Sequence, residues 1–328
     1  MPPKRIPLSC VGHTRPVLQL AYSGMTPDGI FLVSASKDGK PMLRNGQTGD
    51  WIGTFEDHDG AVWGVDIDVM GQRVMTGSAD FSAKLFDATR GQVIQTLQHP
   101  HIVKAVSLSP DVNLVATACG DKKVRLFDLR ANQDGHVIST HDQVINRVLF
   151  TADGNHILSG GEDGIIRTYD RTNSAEMNTM IGDPIKDLCR KADGRILASC
   201  SSSIKRLDIT GTSVEHTVQV PTPVYTAAAH HAEDMLVWGG EDQLVHVCTE
   251  DGAVQDELNK HFGAVHCVRF SPDGQSFSSC SEDGTLLLWQ VHPGEEYGLW
   301  RAQTDDDDSS ATTTGTPAPP PNHTVATQ

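Results

Sequence analysis

No apolar run in this sequence comes near the roughly 20 residues that a membrane-spanning helix needs. Its hydrophobic content of 38% is broken into short stretches, so no membrane insertion is expected. The opening residues, MPPKRIPLSC, carry Lys4 and Arg5 but lack the apolar core of a secretory signal. The expected location is therefore the cytoplasm, the nucleus or both. Cysteine is sparse and unpatterned. Cys10, Cys119, Cys189, Cys200, Cys248, Cys267 and Cys280 never fall in a C-x-x-C spacing, which argues against a disulfide framework and a zinc site. Most lie in strand-like runs, where a free thiol acts as a small apolar side chain. Positive charge is short as well: 26 Lys and Arg stand against 42 Asp and Glu. No basic run exceeds a pair. Tight, direct nucleic-acid binding needs clustered cations to displace phosphate counter-ions, and it is not expected here. Helical periodicity of useful length is also missing from the first 300 residues.

What the chain does contain is a repeat. Asp38, Asp80, Asp121, Asp163, Asp242 and Asp283 each sit in a short turn between two apolar runs. They recur about every 41 residues, and the interval from Asp163 to Asp242 is about twice that. A degenerate copy fills the long interval, with Ser201–Ser203 where the acidic turn belongs. Alternating runs such as Val265–Phe270 read as strands with one buried face. Asp-Gly turns at 28–29, 153–154, 193–194 and 273–274 join them, because Gly accepts a positive φ without steric cost. Seven copies of four short strands predict an all-β, seven-bladed WD-repeat propeller.

Each copy carries a polar set. In the last, His261, Ser279, Asp283 and Trp289 are expected to form one hydrogen-bonded chain. A buried carboxylate is costly without donors, so the set makes sense as a unit. The related sets are His58, Thr76 and Asp80 with Phe86; His141, Ser159 and Asp163 with Tyr169; and Thr117 and Asp121 with Phe127, completed by His99 or His101. Ser, His and Asp in proximity resemble a hydrolase triad, but recurrence at a fixed offset in successive repeats identifies scaffold. The reading calls for no enzyme, cofactor or metal; His99, His101, His230 and His231 are read as turn or surface groups. The fifth copy lacks its acidic turn, and the sixth has Trp238 at the Ser/Thr position and Cys248 at the aromatic one. Those two blades are expected to be held least tightly.

Because copies run one strand out of phase with blades, residues 5–10 are expected to return as the outer strand beside Trp289, removing an open edge. The propeller is expected over 1–303. Beyond it, Asp305–Asp308 and a Thr/Pro-rich stretch have too little apolar content to fold, and 304–328 reads as a flexible tail. Partners are expected on the face carrying the starts of the first strands. Aligning the copies puts Leu18, Trp63, Lys104, Asn146 or Ile145, Lys186, Tyr225 and His266 there, with Lys37, Glu162, Glu241 and Glu282 as a charged rim. Trp63, Tyr225 and His266 are of the kind found in interface hot spots, although Trp63 could instead pack between blades.

The segments KDGKPMLR (Lys37–Arg44), HFGAVHCVRFSPDG (His261–Gly274) and YGLW (Tyr297–Trp300) resemble the serine-threonine kinase receptor-associated, or Unr-interacting, family of WD-repeat proteins. The first is the more specific, since an ordinary repeat places Trp-Asp near Arg44-Asn45. The resemblance implies a non-catalytic adaptor, monomeric within a larger complex. It implies partners among survival-of-motor-neuron components, Sm-type proteins loaded onto spliceosomal RNAs, and an Unr-like RNA-binding protein. It also implies a damping of transforming-growth-factor-β receptor signalling in animals. The acidic balance suits basic partners. The alternative is the WD-repeat subunit of a translation initiation factor, which the stretch Gly53–Asp68 resembles nearly as well.

Overall fold

Short apolar runs punctuated by Asp-Gly turns leave each segment room for one strand and little else. The computed structural model describes residues 4–131 and 134–301, and no helix occurs among them. The strands form seven separate four-stranded sheets. The inner strands, Val17–Tyr22, Val62–Ile67, Val103–Leu108, Ile145–Phe150, Ile185–Arg190, Val224–Ala229 and Val265–Phe270, each touch the next, and the last touches the first. The result is the expected propeller with seven blades around a channel. The expected tail lies outside the described residues.

Blade seven is closed from the other end of the chain. Leu8–Cys10 pairs antiparallel with Leu286–Leu288, a shorter strand than the span 5–10. Arg5 adds to the join through its side chain, donating to the carbonyls of Gln290 and Val291. The apolar core lies between blades rather than within any one. Val33, Leu43 and Phe55 of blade one interlock with Val62, Val65 and Phe86 of blade two, and the rings of Phe55 and Phe86 stand 4.9 Å apart.

The polar sets assemble, with corrections. In blade seven the Trp289 indole donates to Ser279 Oγ at 2.8 Å, and Ser279 meets His261 Nε2 at 2.7 Å. His261 does not bond Asp283 directly, since Nδ1 lies 3.5 Å from the carboxylate. Thr285 stands between them, bonded to His261 at 2.8 Å and donating to Asp283 at 2.6 Å. Blade two links Thr76, His58 and Asp80 in contacts of 2.6 Å each. Blade four does the same with Ser159, His141 and Asp163, at 2.8 and 2.9 Å. In blade three His99, not His101, is the partner of Thr117, at 2.9 Å. The chain stops there. Arg125 takes Asp121 through both nitrogens, and His99 Nδ1 turns to the Leu97 carbonyl. A bidentate guanidinium outbids a single imidazole N–H for a carboxylate.

Two sets escaped the sequence reading. Blade one has its own: His13 bonds Ser34 at 2.7 Å and Asp38 at 2.8 Å. Arg44 takes the tryptophan place there, buried, and donates to the carbonyls of Val11 and Gly49. It thereby ties blade one to the segment that leaves the closing strand. In blade six His246 Nε2 meets Asp242 at 2.8 Å from the same strand pair, and the indole of Trp238 lies flat against it.

Candidate protein-docking face

Every inner strand breaks register once, near its start. The shifts fall between Val17 and Gln19, Val62 and Gly64, Val103 and Ala105, Ile145 and Arg147, Ile185 and Asp187, Val224 and Thr226, and Val265 and Cys267. A bulge takes one residue out of the ladder and re-aims its side chain. The residues so displaced are Leu18, Trp63, Lys104, Asn146, Lys186, Tyr225 and His266. All of them, with Arg147 and Glu162, line one open cavity of about 300 Å³ at the channel mouth. Of the two positions offered for blade four, Asn146 is the displaced one, while Ile145 is buried. Bulge formation explains why the alternating pattern could locate these positions: each sits one residue after the first buried apolar side chain of its strand.

The side chains interact across blades. Trp63 is half-buried at the mouth rather than lost between blades, with Lys37 Nζ 6.0 Å and Lys104 Nζ 5.4 Å from its ring centre. Lys186 bonds both oxygens of Glu162, at 2.9 and 3.0 Å, and Asn146 donates to the same carboxylate at 2.7 Å. The rings of Tyr225 and His266 stack with planes 8° apart and centres 5.9 Å apart. His266 and Lys37 both hold Glu282, at 2.5 and 3.1 Å. Glu241 is exposed. Burial lowers the ammonium of Lys104, and the nearby cations Arg147 and Lys186 push it the same way against Glu162. Burial likewise keeps His266 below the ordinary imidazole value despite Glu282. Burial raises the Tyr225 phenol, with help from Glu241 and Glu282.

Beneath the mouth lies a clamp that the sequence reading missed. Asp187, fully buried, is held by Arg147 at 2.8 Å, by Arg269 at 2.8 and 2.9 Å, and by the Thr226 hydroxyl at 2.7 Å. Burial pushes this carboxyl up, but the two guanidiniums outweigh it and hold it at about 2. Four inner strands are thus fastened across the channel. The available signal was a charged residue at an inward position of an inner strand, as at Arg147, Asp187 and Arg269. Arg147 lines both this mouth and a second cavity of about 380 Å³ on the far side of the clamp. Each carboxylate of the clamp and of the Lys186 and His266 pairs is committed to a cation.

The chain matches the family model described as the first beta-propeller of IFT122 over residues 16–290. It is 41% identical over 303 residues to the serine-threonine kinase receptor-associated protein of Gallus gallus, covering 91% of this chain and 86% of the relative. The protein of that name in Dictyostelium discoideum is 38% identical over 290 residues, covering 87% of this chain and 99% of the relative. Eukaryotic translation initiation factor 3 subunit I of Culex quinquefasciatus is more distant, at 28% identity over 326 residues, 89% of this chain and 98% of its own.

Proposed function

Because the chain belongs to the serine-threonine kinase receptor-associated protein family of WD-repeat propellers, we propose that it is a non-catalytic adaptor that binds other proteins through the bulged mouth of its channel. The observation that carries this reading is the ring itself. Seven blades each spend a register shift to bring one side chain to a common opening, and three of those side chains are Trp63, Tyr225 and His266. Aromatic groups fixed at a wet edge contribute large contact area at low entropic cost. The carboxylates of Asp187, Glu162 and Glu282 are each held by cations of the chain itself, which supports a scaffold.

The finer reading is an adaptor in assembly of spliceosomal ribonucleoproteins, in the cytoplasm and the nucleus. Its partners would be survival-of-motor-neuron components, Sm-type proteins and an Unr-like RNA-binding protein. The chain acts as a single copy within the larger complex. Relatives are named for association with a receptor serine-threonine kinase, and damping of receptor signalling is a second role in organisms that have such receptors. The test is affinity capture of the tagged, full-length protein from native extract, washed at low and high salt, with partners identified by mass spectrometry. Sm proteins retained at high salt on wild type, and lost from Trp63→Ala and Tyr225→Ala, are the expected result. Retention of initiation-factor subunits with the small ribosomal subunit would replace this reading with the translational one.

A further inference from the structure

The mouth is divided by charge. Glu241 and Glu282 stand on the side of blades six and seven, where Glu282 is already matched by His266 and Lys37. Lys104, Arg147 and Lys186 stand on the side of blades three to five. Lys186 is matched by Glu162. Arg147 and Arg269 share the single carboxylate of Asp187, so one positive charge of that trio is left over. Lys104 has no carboxylate at bonding distance among the described residues, and its ammonium stands 5.4 Å from the centre of the Trp63 ring. The indole Nε1 of Trp63 is itself buried and has no hydrogen-bond partner among the described residues. A buried donor left unfilled is costly, as is a partly buried cation without a counter-charge.

We propose that the mouth receives an acidic side chain, Asp or Glu, from an extended segment of a partner protein, seated between Lys104 and Arg147 beside Trp63. The proposal rests on the docking-face reading above and adds the chemistry of the occupant. A carboxylate matches the surplus cations. It reverses the expectation that the acidic rim selects basic partners, because Glu162 and Glu282 are spent on cations of the chain itself.

A second feature extends the site along the rim. Phe81 holds φ at 67°, a left-handed conformation that Lys122 and Gln243 share and that Gly39, Gly164 and Gly284 hold at the same turn of other blades. A bulky side chain there is strained, yet its ring is 45% exposed and lies 5.7 Å from His101, three residues before Lys104. Three extended residues span about 10 Å. The seated segment thus carries an apolar residue a few positions from its acid. A protein segment fits better than a nucleic acid, since Glu241 and Glu282 across the mouth and a net charge of −16 repel a polyanion.

The test pans a phage-displayed library of random seven-residue peptides on immobilised full-length protein. Asp and Glu should be enriched several-fold on wild type. The enrichment should vanish with Lys104→Met and return with Lys104→Arg, with circular dichroism melts confirming that both variants fold. Enrichment of Lys and Arg, or equal selection on wild type and Lys104→Met, would overturn the proposal. If Trp63→Ala abolishes selection while Lys104→Met leaves it intact, the docking face stands and the carboxylate seat falls. If neither substitution matters, the docking-face reading falls as well. Acidic selection that emerges only after Asp305–Asp308 are replaced by Asn would make the chain's own tail the occupant and overturn a partner in that place. A labelled oligouridylate bound in a Lys104-dependent way would overturn it in favour of phosphate.

Discussion

The indole of Trp238 lies flat on the imidazole of His246, with ring centres 3.8 Å apart and planes within 11°. Blade six has thus rebuilt its polar set from a different direction. Its entry loop supplies Thr222, 2.9 Å from Asp242, in place of a histidine, and the histidine comes from the third strand instead. Trp238→Ser would restore the residue type of other blades but find no imidazole in the entry loop to bond. It should cost about 3–5 kcal/mol, the range of a large aromatic deleted from a core. His246→Leu, which keeps the packing but leaves Asp242 short of a donor, should cost about 1–3 kcal/mol. Guanidinium unfolding of the two variants checks both values. A Trp238→Ser protein as stable as wild type would show that the stack contributes nothing.

Ser279 serves two partners at once, accepting from Trp289 and meeting His261 Nε2. Its removal strands an indole donor and an imidazole nitrogen in a fully buried place. Ser279→Ala should lose about 2–6 kcal/mol, as two unsatisfied buried groups would. Thr117→Val in blade three strands His99 alone and should lose about half as much. Equal losses at the two positions would mean that the indole donor is energetically idle.

The period of the acidic turns was enough to read the propeller, because a repeat that cannot bury its own face has to stack on its neighbours. The mouth residues were legible for the same reason, as each follows the first buried apolar position of its strand. What stayed hidden depended on side chains meeting across repeats. Nothing in a single copy says that Asp187 will sit between Arg147 and Arg269, which lie far apart in the chain and on different blades. Thr285 was missed because a hydroxyl two residues after Asp283 looks like an ordinary turn residue. Arg44 was noticed as an oddity of sequence, but its reason, the bonds to Val11 and Gly49, exists only once the closing strand is in place.

Blade five should open before the others. By strand register Ala198 and Ser202 stand where Ser279 and Asp283 stand in blade seven, and the hydroxyls of Ser199 and Ser203 are buried without a partner among the described residues. Ile181 occupies the place of the histidine. What remains is a bond from Ser202 to Asp183 at 2.7 Å and one from Lys205 to the Ile181 carbonyl at 2.8 Å. Native-state hydrogen exchange should show the amides of Ser203–Leu207 and Val214–Gln219 exchanging fastest among ordered strands, with blade six next and blade seven slowest. Uniform protection across the ring would falsify this ordering.

His99 makes stability depend on pH in a defined direction. Burial lowers its imidazole from 6.5 to about 4, with the Leu97 carbonyl opposing and Arg125 adding to the fall. The folded state therefore holds it neutral, donating from Nδ1 to Leu97 and facing Thr117 with Nε2. The unfolded chain takes up a proton near pH 6.5 and the folded chain does not, so stability is full above that value. It falls as the pH drops from 6.5 towards 4, and the loss from this group ends where folded His99 itself protonates. Between pH 7 and pH 5 it amounts to roughly 2 kcal/mol. Burial shifts His58, His141 and His261 downward too, so their losses add in the same direction. Asp80, Asp163 and Asp283 lie below 3.8 because hydrogen bonds and their histidines outweigh burial, and they contribute a separate loss only at lower pH. Denaturant titrations at pH 7, 6 and 5 should show a falling midpoint at constant slope. The His99→Gln protein should start less stable at pH 7 and lose less on acidification. An unchanged pH dependence in that variant would remove His99 as the proton-linked group and leave the fall to the other three histidines.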